Sequence, residues 1–275
     1  MKSETVPVPG ADLYAEIRGD GPPLLLIPGG GGDAANFDDL AEGLAEHFTV
    51  IAYDVRGYSR SRLTSGHPEP QHVAVQADDA ARIIETLCSE PAFVFGTSNG
   101  AITALDLLAH HPDRVRTVVA HEPPCFAVLP TAAAHHAWIE EVLDLFHTEG
   151  LAAAGAHFLA GIGPVMDPTP QPERMTPRQT ETWARLAANG PIMMEYELRE
   201  FTSYIPDFGA LDGLTDRLVL AAGERTRGHL PYRPAATIAL RLGLSVTEFP
   251  GAHNGSRAHA TEFAERLTKI FTERT

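Results

Sequence analysis

The segment Gly96-Thr97-Ser98-Asn99-Gly100 constrains the fold of this chain more than any other. It is a G-x-S-x-G pattern set directly after an apolar run, residues 92–95, and directly before a helical pattern, residues 101–109. A sharp strand-to-helix turn lifts a serine hydroxyl clear of the backbone, and flanking glycines let that turn form without side-chain clashes. The helix that follows places its positive end under the serine.

The rest of the chain agrees with that junction. Residues 24–27 (Leu-Leu-Leu-Ile) form a short continuous apolar run ended by Pro28 and four glycines, the pattern of a strand buried on both faces. Further strand patterns lie at 49–53, 115–120, 217–222 and 245–249. Helical patterns lie between them, at 34–46, 73–87, 101–109, 234–242 and 261–272. Two alternating segments near the start, 5–8 and 13–17, are split by Pro9-Gly10-Ala11-Asp12 and read as an edge hairpin. This order predicts an α/β fold: a mainly parallel sheet with helices on both faces.

Residues 126–204 break the alternation. They carry helical patterns, no convincing strand, and a Pro-rich stretch at 161–177. The expected organisation is one α/β core, residues 1–125 and 205–275, with a helical cap, residues 126–204, inserted after the sixth strand. Such an insertion would cover the carboxyl edge of the sheet, where ligands bind in these folds.

Charge limits the partners. The chain carries 36 acidic against 21 basic residues, a formal net charge of −15. A phosphate surface needs a basic footprint, so neither nucleic acid nor an anionic membrane is expected. The two cysteines, Cys88 and Cys125, form neither a metal-type pair nor a disulfide framework. The start, Met-Lys-Ser-Glu-Thr-Val-Pro, lacks the apolar run of a signal peptide, and no apolar stretch approaches the ~20 residues of a spanning helix. The expected location is cytoplasmic. The expected partner is a small apolar molecule, with a homodimer left open and with neither cofactor nor metal.

The loop Pro28-Gly29-Gly30-Gly31-Gly32 lacks the Gly-Lys-Ser/Thr ending of a phosphate loop. It reads better as an oxyanion hole. Backbone N–H groups of Gly30 or Gly31 would join that of Asn99 to stabilise charge on a carbonyl oxygen under attack.

These motifs, in this order, resemble the α/β-hydrolase superfamily over nearly the whole chain. The matching segments are Leu-Leu-Leu-Ile-Pro-Gly-Gly, then the run from Tyr53-Asp54-Val55-Arg56-Gly57 to Ser61, then Gly-Thr-Ser-Asn-Gly, then Phe249-Pro250-Gly251-Ala252-His253. The resemblance implies an eight-stranded sheet, a variable cap, and a triad of serine, histidine and acid. It makes Ser98 the nucleophile and puts the general base on the loop holding His253. His110, His111, His135 and His136 lie on helical patterns and read as packed or solvated.

The acid departs from the common family pattern. Most members carry an Asp three residues after the Gly that ends the seventh strand. Here that stretch is Gly223-Glu224-Arg225-Thr226, and a threonine cannot carry charge. Some members place the acid after the sixth strand, where this chain has Glu122-Pro123-Pro124. Glu122 is therefore the expected acid. Glu224 is the rival, and a solvated loop glutamate is the alternative for Glu122.

The cap segment is rich in aromatics and methionines, most of them expected as helix–helix core. Trp138, Met193 and Tyr196 are the expected pocket residues. The implied activity is hydrolysis of a carboxylic ester or lactone through an acyl-enzyme on Ser98. The alternatives are a thioester, a C–C bond or perhydrolysis on the same triad, or a non-hydrolytic lyase or cyclase, since fold alone does not fix function. Epoxide hydrolases and dehalogenases of this fold use an Asp nucleophile, which disfavours them here.

Overall fold

The computed structural model describes residues 1–168 and 172–274. Its sheet follows the expected order. The main strands are β1 (Lys2–Val8), β2 (Ala11–Arg18), β3 (Pro23–Ile27), β4 (Thr49–Tyr53), β5 (Ala92–Thr97), β6 (Val115–His121), β7 (Leu218–Gly223) and β8 (Val246–Phe249). They lie side by side in the order β1-β2-β4-β3-β5-β6-β7-β8, and a two-residue strand, Arg62–Leu63, pairs with β2 as a ninth. β1 and β2 pair antiparallel, as do β2 and β4. From β4 through β8 every pairing is parallel.

The apolar run in β3 explains the layering. Side chains alternate across a strand, so Leu25 and Ile27 enter one core while Leu24 and Leu26 enter the other. The first core holds α2 (Val73–Leu87) and α3 (Asn99–His110) through Ile83, Ile84, Ile102 and Leu105. The second holds α1 (Asp38–Leu44) and the C-terminal helix Ala260–Thr272 through Leu40, Phe263, Leu267 and Phe271. Each of these buried side chains contributes about 1.5–3 kcal/mol relative to exposure. The expected single helix over 34–46 is instead a 3₁₀ turn, Ala34–Phe37, followed by α1. Asp33 accounts for the tight start, because its side chain accepts from the Ala35 N–H.

Between β6 and β7 the described residues of 126–204 contain helices and no strand. They are α4 (Ala132–Glu149), α5 (Leu151–Ile162), α6 (Pro177–Tyr196) and α7 (Leu198–Thr202), with short 3₁₀ turns. Ile139, Val142, Leu143, Ala154, Met194 and Leu198 give them a small core of their own. Thr176 and Gln179 close a capping box at the start of α6, with Pro177 in its first turn.

One face of α6 is polar and meets acids of the core, of which Glu16 and Asp33 are buried and Asp38 is half-buried. Arg178 pairs with Glu16 and Asp38, and Arg185 pairs with Asp33. Spacings of seven and then four residues put Arg178, Arg185 and Asn189 on that one face. Among the described residues no helix is long and apolar enough to cross a membrane.

Candidate active site

The turn after β5 holds Ser98 at φ +53°, ψ −126°, a backbone region that L-residues avoid. Such strain costs about 1–3 kcal/mol and persists only where the surroundings enforce it. Here they do. The Ser98 N–H donates to the His121 carbonyl (2.9 Å), and the Ser98 carbonyl accepts from Ala101 N–H (2.9 Å). The glycines are required by space. A Cβ on Gly96 would lie 2.2 Å from the Gly100 carbonyl oxygen, and one on Gly100 would lie 2.2 Å from that of Ile27.

The glycine loop after β3 packs directly on this turn. A Cβ on Gly29 would lie 2.8 Å from the Ser98 Cβ. Gly30 is exposed, and Gly31 is buried under Leu186 of α6. The Gly31 carbonyl accepts from Asn189 Nδ2 at 2.6 Å. The N–H groups of Gly30 and Gly31 have no acceptor among the described residues. The Asn99 N–H is free of the helix ladder because Asn99 is the first residue of α3.

His253 sits on the loop after β8, and its Nδ1 donates to Glu122 Oε2 at 2.5 Å. The loop is braced by the segment before α6. His253 N–H donates to the Val165 carbonyl (2.8 Å), and Ala252 N–H donates to Asp167 Oδ2 (2.7 Å). No hydrogen bond joins Ser98 Oγ to His253 among the described residues, so His253 Nε2 is left free. In free enzymes that contact is often long and tightens only with substrate.

Glu122 directly follows β6, at φ +51°, and is fully buried. Its second oxygen, Oε1, accepts from the Gly223 N–H (2.8 Å) and from the Thr226 hydroxyl. Burial alone would raise its carboxyl pKa. The hydrogen bond and charge of His253, helped by His121 and Thr226, outweigh burial and hold it at about 2. Neighbouring His121 faces away, among the rings of Phe95, Phe249 and Phe263. Burial pushes its pKa down to about 4, leaving a neutral core imidazole.

A serine on a strained strand-to-helix turn has free N–H groups beside it, and a His–carboxylate pair forms between the loops after β6 and β8. Residues 22–167 match the family model described as alpha/beta hydrolase fold. The chain belongs to the α/β-hydrolase family. It is 35% identical over 276 residues to the uncharacterized hydrolase YraK of Bacillus subtilis, covering 97% of this chain and 95% of that one. It is 28% identical to the zearalenone hydrolase of Bionectria ochroleuca, covering 94% of each. The thermophilic esterase of Thermogutta terrifontis shares the fold, with a TM-score of 0.75 at 18% identity over 100% of this chain and 99% of that one.

Within this α/β hydrolase, Glu224 is exposed, and the carboxylate bonded to His253 is that of Glu122. Thr226 is the residue that sequence reasoning missed. It stands where most of the family carries its acid, and its hydroxyl donates to the Glu122 carboxylate. The signal was its spacing of three residues from Gly223.

The three expected pocket residues are placed differently from one another. Met193 lies over the glycine loop: a Cβ on Gly30 would be 3.4 Å from its Cγ. Trp138 lies in the α4–α5 seam, stacked on Phe158 with ring centroids 5.3 Å apart. Gly161 makes room for it there, since a Cβ at 161 would lie 2.2 Å from the indole. Tyr196 is half-buried, and its carbonyl accepts from Gln71 N–H (2.8 Å).

A second residue escaped the sequence reading. Glu197 is buried, and its Oε1 accepts from Asn99 Nδ2 at 2.6 Å. Its sequence signal was an acid on the apolar stripe formed by Met194, Leu198 and Phe201. Among the described residues no group of three or more His, Cys, Asp and Glu side chains is placed to hold a metal ion.

Proposed function

We propose that this α/β hydrolase cleaves carboxylic esters or lactones through an acyl-enzyme on Ser98. The observation that carries the reading is the Glu122–His253 hydrogen bond, 2.5 Å long, which leaves Nε2 as the unpaired nitrogen of the ring. A charged Glu122 fixes the proton on Nδ1, so Nε2 is the basic position.

In this mechanism His253 Nε2 takes the Ser98 hydroxyl proton as Oγ attacks the substrate carbonyl carbon. The carbonyl π electrons move to oxygen, and the N–H groups of Gly30 and Asn99 stabilise that charge. Collapse breaks the C–O bond, and the imidazolium returns its proton to the leaving alkoxide. In a lactone the alcohol stays tethered to the acyl group. Water, deprotonated by His253, then attacks the acyl-enzyme and releases the acid and the serine. Glu122 stabilises the imidazolium in both halves without itself taking the proton.

Met193 at Gly30 supports an apolar substrate. The relative named for zearalenone hydrolysis is consistent with this class. We read residues 126–204 as a cap on a core formed by 1–125 and 205–275. The test is steady-state and burst kinetics on p-nitrophenyl esters of graded acyl length and on simple lactones. The reading expects turnover with a burst of up to one alcohol per chain on the activated esters. Folded protein that turns over none of them contradicts it.

A further inference from the structure

Glu197 joins α6 to α7 and is 3% exposed, yet among the described residues no Lys or Arg pairs with it. A buried carboxyl group without a cation is costly unless its hydrogen bonds repay the desolvation. Its two bonds both go to core residues that build the site. Oε1 accepts from the side chain of Asn99, the residue directly after Ser98. Oε2 accepts from the hydroxyl of Tyr58, which is itself fully buried.

The Tyr58 ring in turn packs against the far end of the glycine loop. A Cβ on Gly32 would lie 2.8 Å from its Cγ. One carboxyl group therefore links the two segments that would supply the oxyanion donors: the turn holding Asn99 and the loop holding Gly30. Asn99 Nδ2 also lies beside that loop, 3.8 Å from where a Cβ on Gly30 would stand. The same helix reaches the loop again through Asn189, which holds the Gly31 carbonyl.

We propose that Glu197 is a positioning residue, which sets the separation of the Gly30 and Asn99 N–H groups by hydrogen-bonding Asn99 and Tyr58 together. The assignment rests on the serine-hydrolase reading above and adds to it that the cap segment completes the oxyanion hole. Burial pushes the Glu197 carboxyl pKa up, which favours the uncharged form.

The experiment measures the second-order rate of Ser98 labelling by an alkyl fluorophosphonate, together with kcat and KM on a p-nitrophenyl ester. The proteins are wild type, Glu197→Ala, Glu197→Gln, Asn99→Ala and the Asn99→Ala/Glu197→Ala double variant. Glu197→Ala is expected to slow labelling and kcat by roughly 10- to 100-fold, the size of effect expected when a reacting group is misplaced by about 1 Å. KM should move by less than about threefold, because the loss falls on the transition state.

Glu197→Gln keeps an oxygen for Asn99 and reverses the Tyr58 contact, its NH₂ donating to the phenol oxygen, and is expected to recover to within about tenfold of wild type. The double variant should be no slower than the slower single variant, since each single variant already removes the Glu197–Asn99 contact. Should Glu197→Ala not fold, Tyr58→Phe removes the hydroxyl link alone and is expected to slow kcat by roughly threefold or more. A Glu197→Ala protein that only melts earlier, with unchanged labelling rate and kcat, overturns the proposal while the serine-hydrolase reading stands. So do single-variant losses that multiply, or an unchanged Tyr58→Phe. Wild type that is folded and never labelled overturns both.

Discussion

Glu122→Gln is the substitution whose consequence the hydrogen bonds specify most closely. In the wild type Oε1 accepts from Gly223 N–H at 2.8 Å and Oε2 accepts from His253 Nδ1 at 2.5 Å. A glutamine of the same shape has one acceptor and one donor end. The Gly223 N–H can only donate, so the amide oxygen must take the Oε1 position. The NH₂ group then faces His253 Nδ1 and forces that nitrogen to accept. The ring proton moves to Nε2, the nitrogen that receives the Ser98 proton in the proposed mechanism. The fold is retained while the base is lost.

The Asp-to-Asn change in serine proteases, which also traps the wrong tautomer, costs roughly 10⁴ in kcat. At 1.36 kcal/mol per tenfold, the expected barrier increase here is about 5 kcal/mol. The assay is kcat and kcat/KM on an activated ester, with urea unfolding to verify the folded state. Glu224→Gln is the control. Glu224 is exposed, and that variant should stay within about twofold of wild type. A Glu122→Gln enzyme within tenfold of wild type, or a larger loss from Glu224→Gln, refutes the reasoning.

Thr226→Val, an isosteric change at a fully buried site, removes a hydroxyl donor from the Glu122 carboxylate and should cost about 1.5–3 kcal/mol of stability at neutral pH, read by urea unfolding. A neutral effect would show that the hydroxyl is not spent on Glu122. Stability should also fall with acid through Glu122. Its folded pKa, about 2, lies below its usual 4.5, so its contribution is complete above pH 4.5 and is lost as pH falls toward 2. The two values correspond to about 3 kcal/mol, seen as a shrinking stability gap between wild type and Glu122→Gln from pH 5 to pH 2. A gap that is constant or widens over that range contradicts the assignment.

What could be read in the residues was local or periodic. The β3 run announces a strand buried on both faces because only such a strand can be apolar at every position. Ser98 was legible because a strand, two glycines and a helix stand in contiguous sequence. The Glu122–His253 contact was reachable because a threonine at the usual acid site directed attention to another carboxylate.

The residues that escaped act across long sequence separations. Thr226 meets Glu122 from 104 positions away, and Glu197 meets Asn99 from 98. No periodicity encodes those meetings; the parallel sheet and α6 create them. Trp138 shows the same limit, since an aromatic on a helix stripe reads alike whether it faces a pocket or, as here, the neighbouring helix. The 34–46 helix broke at Asp38 because the Asp33 cap favours a tight first turn, a choice between two helical forms that apolar spacing does not distinguish.

The most direct test of the account is covalent labelling with an active-site fluorophosphonate, followed by peptide mapping. One label per chain is expected, on Ser98 of wild type, and none on folded Ser98→Ala. Absence of label on folded wild type, or a label that persists in Ser98→Ala, would contradict it.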